Sequence, residues 1–236
     1  METSCCIGLF GDCTVDVDFP PAMRPENHLA VRLRRAFPGQ PFVIRNRGDS
    51  GGTAGDLLKP GCLAEALGDL PRLDIAFVRY GINDRKRDGI PRCVENVSAL
   101  CCRLREGYAD VTIIIETGIW VDYPKHYMFD RNARLAPLYQ AMREFAAEKG
   151  YPLLDIFTSM EAESRRGHWD LRIRGLPDRE HMILDDSFDQ FFGDDPAFFT
   201  NVHPNSRCLG LIADWEAAKL QELFGDRLPG VEEARP

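Results

Sequence analysis

The apolar run Ile7-Gly8-Leu9-Phe10 passes into Gly11-Asp12-Cys13-Thr14, and this junction is where a reactive side chain is expected. In an open α/β sheet the substrate crevice lies outside the carboxyl ends of the strands, so a thiol just past the first strand stands exposed on the working edge. A thiol titrates near about 8.5 and falls beside an imidazolium or a helix N-terminus, which makes the thiolate a nucleophile for acyl chemistry. Three more short motifs follow in chain order: Asn46-x-Gly48-x-x-Gly51, Gly81-x-Asn83-Asp84 and Val202-His203-Pro204-Asn205. A second Gly-Asp-Ser at 48–50 offers Ser50 as a rival nucleophile, but Asn46 and Gly51 frame it as a loop after the second strand. Asp12 reads as an anchor of its own loop through hydrogen bonds rather than as a reacting group.

These motifs must be positioned by the elements around them. Helices are expected over Pro25–Phe37, about Thr53–Leu70 with a break at Pro60-Gly61, Pro91–Arg105, Asn132–Lys149 and Pro204–Phe224. Strands are expected over the opening run, Pro41–Arg45, Asp74–Tyr80, Val111–Glu116 and Pro152–Ile156. Strands alternating with helices predict a three-layer α/β fold, a flavodoxin-like parallel sheet with helices on both faces. One domain is expected over 1–228, followed by a polar tail at 229–236. Between Thr158 and Thr200 the pattern dissolves into charged residues punctuated by Trp169, Phe188, Phe191, Phe192, Phe198 and Phe199, and a segment of that kind serves as a lid or binding loop.

Composition narrows the class of partner. The net charge is −8 and the basic residues are dispersed, as in Arg32, Arg34 and Arg35, so no track for a nucleic-acid backbone is expected. The longest apolar runs, Val111–Ile115 and Ile75–Val78, fall far short of the roughly 20 residues that span a bilayer. The chain enters its first strand by about residue 5 with no basic region or cleavage site before it, and eight cysteines include the adjacent pairs Cys5-Cys6 and Cys101-Cys102. Reduced thiols in a cytoplasmic protein are the expectation. No Cys/His cluster has zinc spacing, so neither a metal nor another cofactor is expected.

The four motifs together resemble the SGNH (GDSL-type) hydrolase family, whose four blocks supply a nucleophile, a glycine, an asparagine and a histidine in that order; the resemblance spans residues 7 to about 213. It implies the SGNH hydrolase fold and cleavage of an ester or thioester, with the acyl or acetyl group carried on a small molecule, a sugar or a lipid. It further implies Cys13 as nucleophile and His203 as general base. The oxyanion donors would be the backbone N–H of Cys13, the backbone N–H of Gly51 and the side-chain amide of Asn83, each stabilising the transition state by on the order of 3 kcal/mol.

Two positions depart from the family pattern: Cys13 stands where the family has serine, and Thr200 where it has an aspartate three residues before the histidine. The departures are linked, because a Cys–His pair ionises with less help than a serine, whose base must be held in one tautomer by a third group. Thr200 remains to accept a hydrogen bond from the ring, with Asp194 or Asp195 as other partners. Acyl transfer to an amine or alcohol would use the same acyl-cysteine. The reading from another class is a catalytically inactive SGNH-fold binding protein.

Overall fold

The computed structural model describes residues 4–16, 21, 24–68, 70–120, 131–166, 204 and 206–231. Strand β1 covers Cys5–Asp16, β2 Phe42–Gly48, β3 Ile75–Arg79, β4 Thr112–Glu116 and β5 Leu153–Leu154. They form one sheet in the order β2-β1-β3-β4-β5, and every pairing is parallel. Ile7 lies opposite Ile44 of β2 on one side and Ile75 of β3 on the other, while β3 is flanked in turn by β1 and β4, so both are interior strands buried on both faces. This is why Ile75–Arg79 is buried throughout and reads as an unbroken apolar run rather than an alternating one. The order is the flavodoxin-like one, and its switch point falls between β1 and β3.

Helices α1 (Pro25–Ala36), α5 (Ile90–Gly107) and α6 (Arg131–Lys149) match the expected spans within two residues. The break at Pro60-Gly61 separates α2 (Ala54–Leu57) from α3 (Cys62–Leu67). The closing helix, α8, covers Ser206–Phe224 and packs against α1, while α5 and α6 pack together.

Three readings are corrected. Strand β2 continues to Gly48, so Asn46 belongs to the strand and not to the loop after it. A short helix, α4 (Ile82–Arg87), follows β3 directly; a stretch as polar as Ile-Asn-Asp-Arg-Lys-Arg carries no apolar period to reveal it. The segment expected to be irregular from Thr158 instead continues a helix, α7 (Ile156–Arg165), which Asp155 caps by accepting from the Thr158 N–H. The rest of the expected lid, residues 167–200, lies outside the described residues.

Candidate active site

Regular pairing of β1 ends at Gly11, and the register then slips so that Asp16 returns to pair with Gly48, the partner of Gly11. Residues 12–15 bulge out between these two points. A side chain at Gly11 would lie 2.5 Å from Val15 Cγ2 and 2.7 Å from the Arg79 carbonyl oxygen, so the doubling back requires glycine there. The expectation that Cys13 is exposed is also corrected: within this bulge only 6% of its surface remains accessible.

Asp12 shapes the bulge from within. Its Oδ1 accepts from the Thr14 N–H at 3.0 Å and the Thr14 hydroxyl at 2.9 Å, and its Oδ2 accepts from the Ile82 N–H at 3.3 Å. The carboxyl is buried, and burial pushes its pKa up while the Thr14 and Ile82 hydrogen bonds oppose the rise. Asp12 therefore ties the end of β1 to the start of α4.

The two residues after Ile82 extend the same tie to the loop after β2. Asn83 Nδ2 donates to the Gly52 carbonyl at 3.0 Å and lies 3.9 Å from Cys13 Sγ. Asp84 Oδ1 accepts from the Ala54 N–H at 2.9 Å, at the first residue of α2. That carboxyl is fully buried, and desolvation pushes its pKa up to about 6 against the pull of the Ala54 N–H. Three consecutive residues of α4 thus bind the bulge of β1 and the loop after β2.

The loop after β2 is itself a tight turn. The Asp49 N–H donates to the Gly11 carbonyl at 3.1 Å, and the Gly52 N–H to the Asp49 carbonyl at 3.0 Å. Gly51 lies between them with φ of +73°, a left-handed conformation that favours glycine, and is exposed, as is Ser50. Thr53 then closes a capping box with Asp56 at the start of α2, and Arg87 of α4 holds Asp56 through two hydrogen bonds of 2.6 and 3.1 Å.

Of the residues singled out from the sequence, Cys13, the 51–52 turn and Asn83 are thus joined at one sheet edge, beside the switch point. A thiol, a side-chain amide aimed at it and a glycine turn are the parts with which a carbonyl can be attacked and its oxygen held. His203, Thr200, Asp194 and Asp195 lie outside the described residues. Among the described residues no group of His, Cys, Asp and Glu is arranged to hold a metal ion, and no helix is long and apolar enough to cross a membrane.

Sequence reasoning left two features unread. One is the structural part of Asp84. The other is a buried group in which Arg79 Nε donates to Glu116 Oε2 at 2.9 Å and Arg79 Nη2 to Glu216 Oε1 at 2.8 Å. The available signal was Arg79 and Glu116, each a charged residue closing an otherwise apolar strand; the pairing of Val78 with Ile115 places them side by side.

A model of the family described as GDSL-like lipase/acylhydrolase matches residues 9–207. No curated protein matches the sequence. Among solved structures, Axe2, an acetylxylan esterase from Geobacillus stearothermophilus, superposes with a TM-score of 0.62 at 15% identity, covering 93% of this chain and 96% of that one. The lipase/acylhydrolase from Enterococcus faecalis gives 0.60 at 15% identity over 94% and 98% of the two chains. A two-domain esterase active on acetylated mannans gives 0.64 at 15% identity, covering 99% of this chain and 52% of that one. At such identities the likeness is one of fold.

Proposed function

Because the chain belongs to the GDSL-like lipase/acylhydrolase family, we propose that it is an esterase that removes an acyl group from an ester through an acyl-Cys13 intermediate, with His203 as its base. The observation that carries this reading is the Asn83 amide, which bonds the Gly52 carbonyl while lying 3.9 Å from Cys13 Sγ. Cys13 Sγ adds to the carbonyl carbon, and its proton passes through His203 to the leaving alcohol. The oxygen's developing charge is met by the Asn83 amide and by the backbone N–H groups of Cys13 and Gly51. Water, deprotonated by His203, then attacks the thioester, releasing the acid and restoring the thiol. Thr200 serves to orient His203.

Acetyl esters of carbohydrate hydroxyls are the first substrates to try, since esterases of this fold act on acetylated xylan and mannan. The test is intact-protein mass spectrometry after brief exposure to a panel of activated acyl esters, with peptide mapping. One acyl group on Cys13, absent from Cys13→Ala, is expected, together with release of free acid. Cys5 and Cys101, whose pKa values burial pushes up to about 12, and Cys93, which burial raises further, should stay unmodified until the protein is unfolded. Adducts on other residues, or on none, would overturn the reading.

A further inference from the structure

Arg79, Glu116 and Glu216 come from three elements, β3, β4 and α8, and each is at most 2% accessible. Arg79 Nη2 holds Glu116 Oε2 at 2.8 Å and Glu216 Oε1 at 2.8 Å, so two carboxyl groups share one guanidinium nitrogen. A third buried acid, Asp12, acts on the same guanidinium from β1. The other charged groups at α8 are the ion pairs Arg32–Asp214 and Lys219–Glu222, each with an exposed acid, and His28 of α1, which comes near Gly210. One buried cation cannot compensate two ionised carboxylates, because in a low-dielectric interior like charges this close do not both ionise. With both carboxyl groups 2.8 Å from the same guanidinium nitrogen, a proton held by one of them removes the repulsion between the two.

We infer that Arg79, Glu116 and a protonated Glu216 form a latch that docks α8 on the site edge of the sheet, making all three positioning residues for the reaction proposed above. The inference rests on that reading only through the sequence: His203 lies three residues before α8 begins, so fixing the helix fixes the anchor of the chain that carries it. The ionised pair Arg79–Glu116 supplies the neutral core of the latch, and Glu216 adds a hydrogen-bonded acid without adding charge. Burial supports this assignment by pushing Glu216 up to about 8.

Exposed glutamate releases its proton near about 4.3, so docking α8 takes up a proton between that pH and about 8. The docked state is strongest in mild acid and weakens as the pH rises through this window. Hydrogen exchange of α8 amides, corrected for intrinsic rates and referred to α5, reads the change directly. In the native protein α8 opening should grow by up to about tenfold per pH unit between about 5 and 8, and Glu216→Gln, which mimics the protonated acid, should flatten the slope. Glu116→Gln is the second variant: Glu216 becomes the one carboxylate bonded to Arg79, ionises against it, and the slope again disappears.

The double variant Glu116→Gln with Glu216→Gln leaves Arg79 with neither carboxylate on Nη2 and should lose both α8 protection and kcat, while Glu216→Gln keeps α8 protection. Difference infrared spectroscopy at neutral pH should show a protonated carboxyl band that Glu216→Gln removes. A native slope retained in both single variants, a band unaffected by Glu216→Gln, or a double variant with native α8 protection would each overturn the latch. Exchange and infrared readouts need no turnover, so they decide the latch even if Cys13 proves inactive.

Discussion

Replacing Asn83 by alanine tests the oxyanion role proposed for its amide beside the contact the amide makes in the fold. The side chain bonds the Gly52 carbonyl at 3.0 Å and stands 3.9 Å from Cys13 Sγ. Losing the first contact leaves a buried carbonyl without its donor and should cost about 1–2 kcal/mol of stability. Losing the second removes one of the three oxyanion donors proposed above, which is expected to lower kcat by about 10²- to 10³-fold, or about 3–4 kcal/mol of transition-state stabilisation. KM should change little, since the donor acts on charge that develops only in the transition state. The control is Thr53→Ala in the same loop: Thr53 Oγ1 caps α2 by accepting the Asp56 N–H at 3.1 Å. That change should cost about 1 kcal/mol of stability and leave kcat within about twofold. Steady-state hydrolysis of an aryl acetate, with urea unfolding in parallel, measures both. An Asn83→Ala enzyme within about fivefold of native kcat, or one that loses no more rate than Thr53→Ala, would refute the oxyanion role.

Further expectations concern the departures from the family pattern and the buried acid beside the site. Cys13→Ser alone should lose most activity toward aryl esters, Thr200→Asp alone should change the rate by less than about tenfold (~1.4 kcal/mol), and the double change should recover part of the loss. A serine variant as fast as the native protein would show that the thiol is not tuned as a nucleophile. For Asp84, the folded state holds its proton more tightly than the unfolded chain does, up to about pH 6. Its contribution to stability is therefore complete below about pH 4 and is lost as the pH rises to about 6, by up to about 3 kcal/mol. Asp84→Asn should flatten this decline in urea titrations run across that range, and an unchanged slope would contradict the assignment.

The sheet was legible because a parallel strand buried on both faces is an unbroken apolar run, as Ile75–Val78 and Ile113–Ile115 show. The motif positions followed, since each lies just after such a run. The state of Cys13 did not: it is buried in a bulge set by the return of Asp16 to Gly48, a register slip across two strands that no local pattern encodes. Helix α4 escaped notice for a related reason. Its start is fixed by tertiary hydrogen bonds from Ile82 to Asp12 and from Asn83 to Gly52, while its own sequence is uniformly polar after Ile82. Glu216 sits 137 residues from Arg79, and nothing in an amphipathic helix marks one of its acids for a partner so distant.

That separation has a consequence for the order in which the molecule is made on the ribosome. The hydrogen bonds joining Asp12, Gly52, Ala54, Asn83 and Asp84 link residues that have all been synthesised by position 84. At about 5–20 residues per second, Glu116 follows within seconds and Glu216 on the order of ten seconds later. Arg79 and Glu116 are therefore both in the chain before its last helix exists, and a pair formed between them is neutral. On the inference drawn above, Glu216 joins a charge that is already balanced and so brings its proton with it.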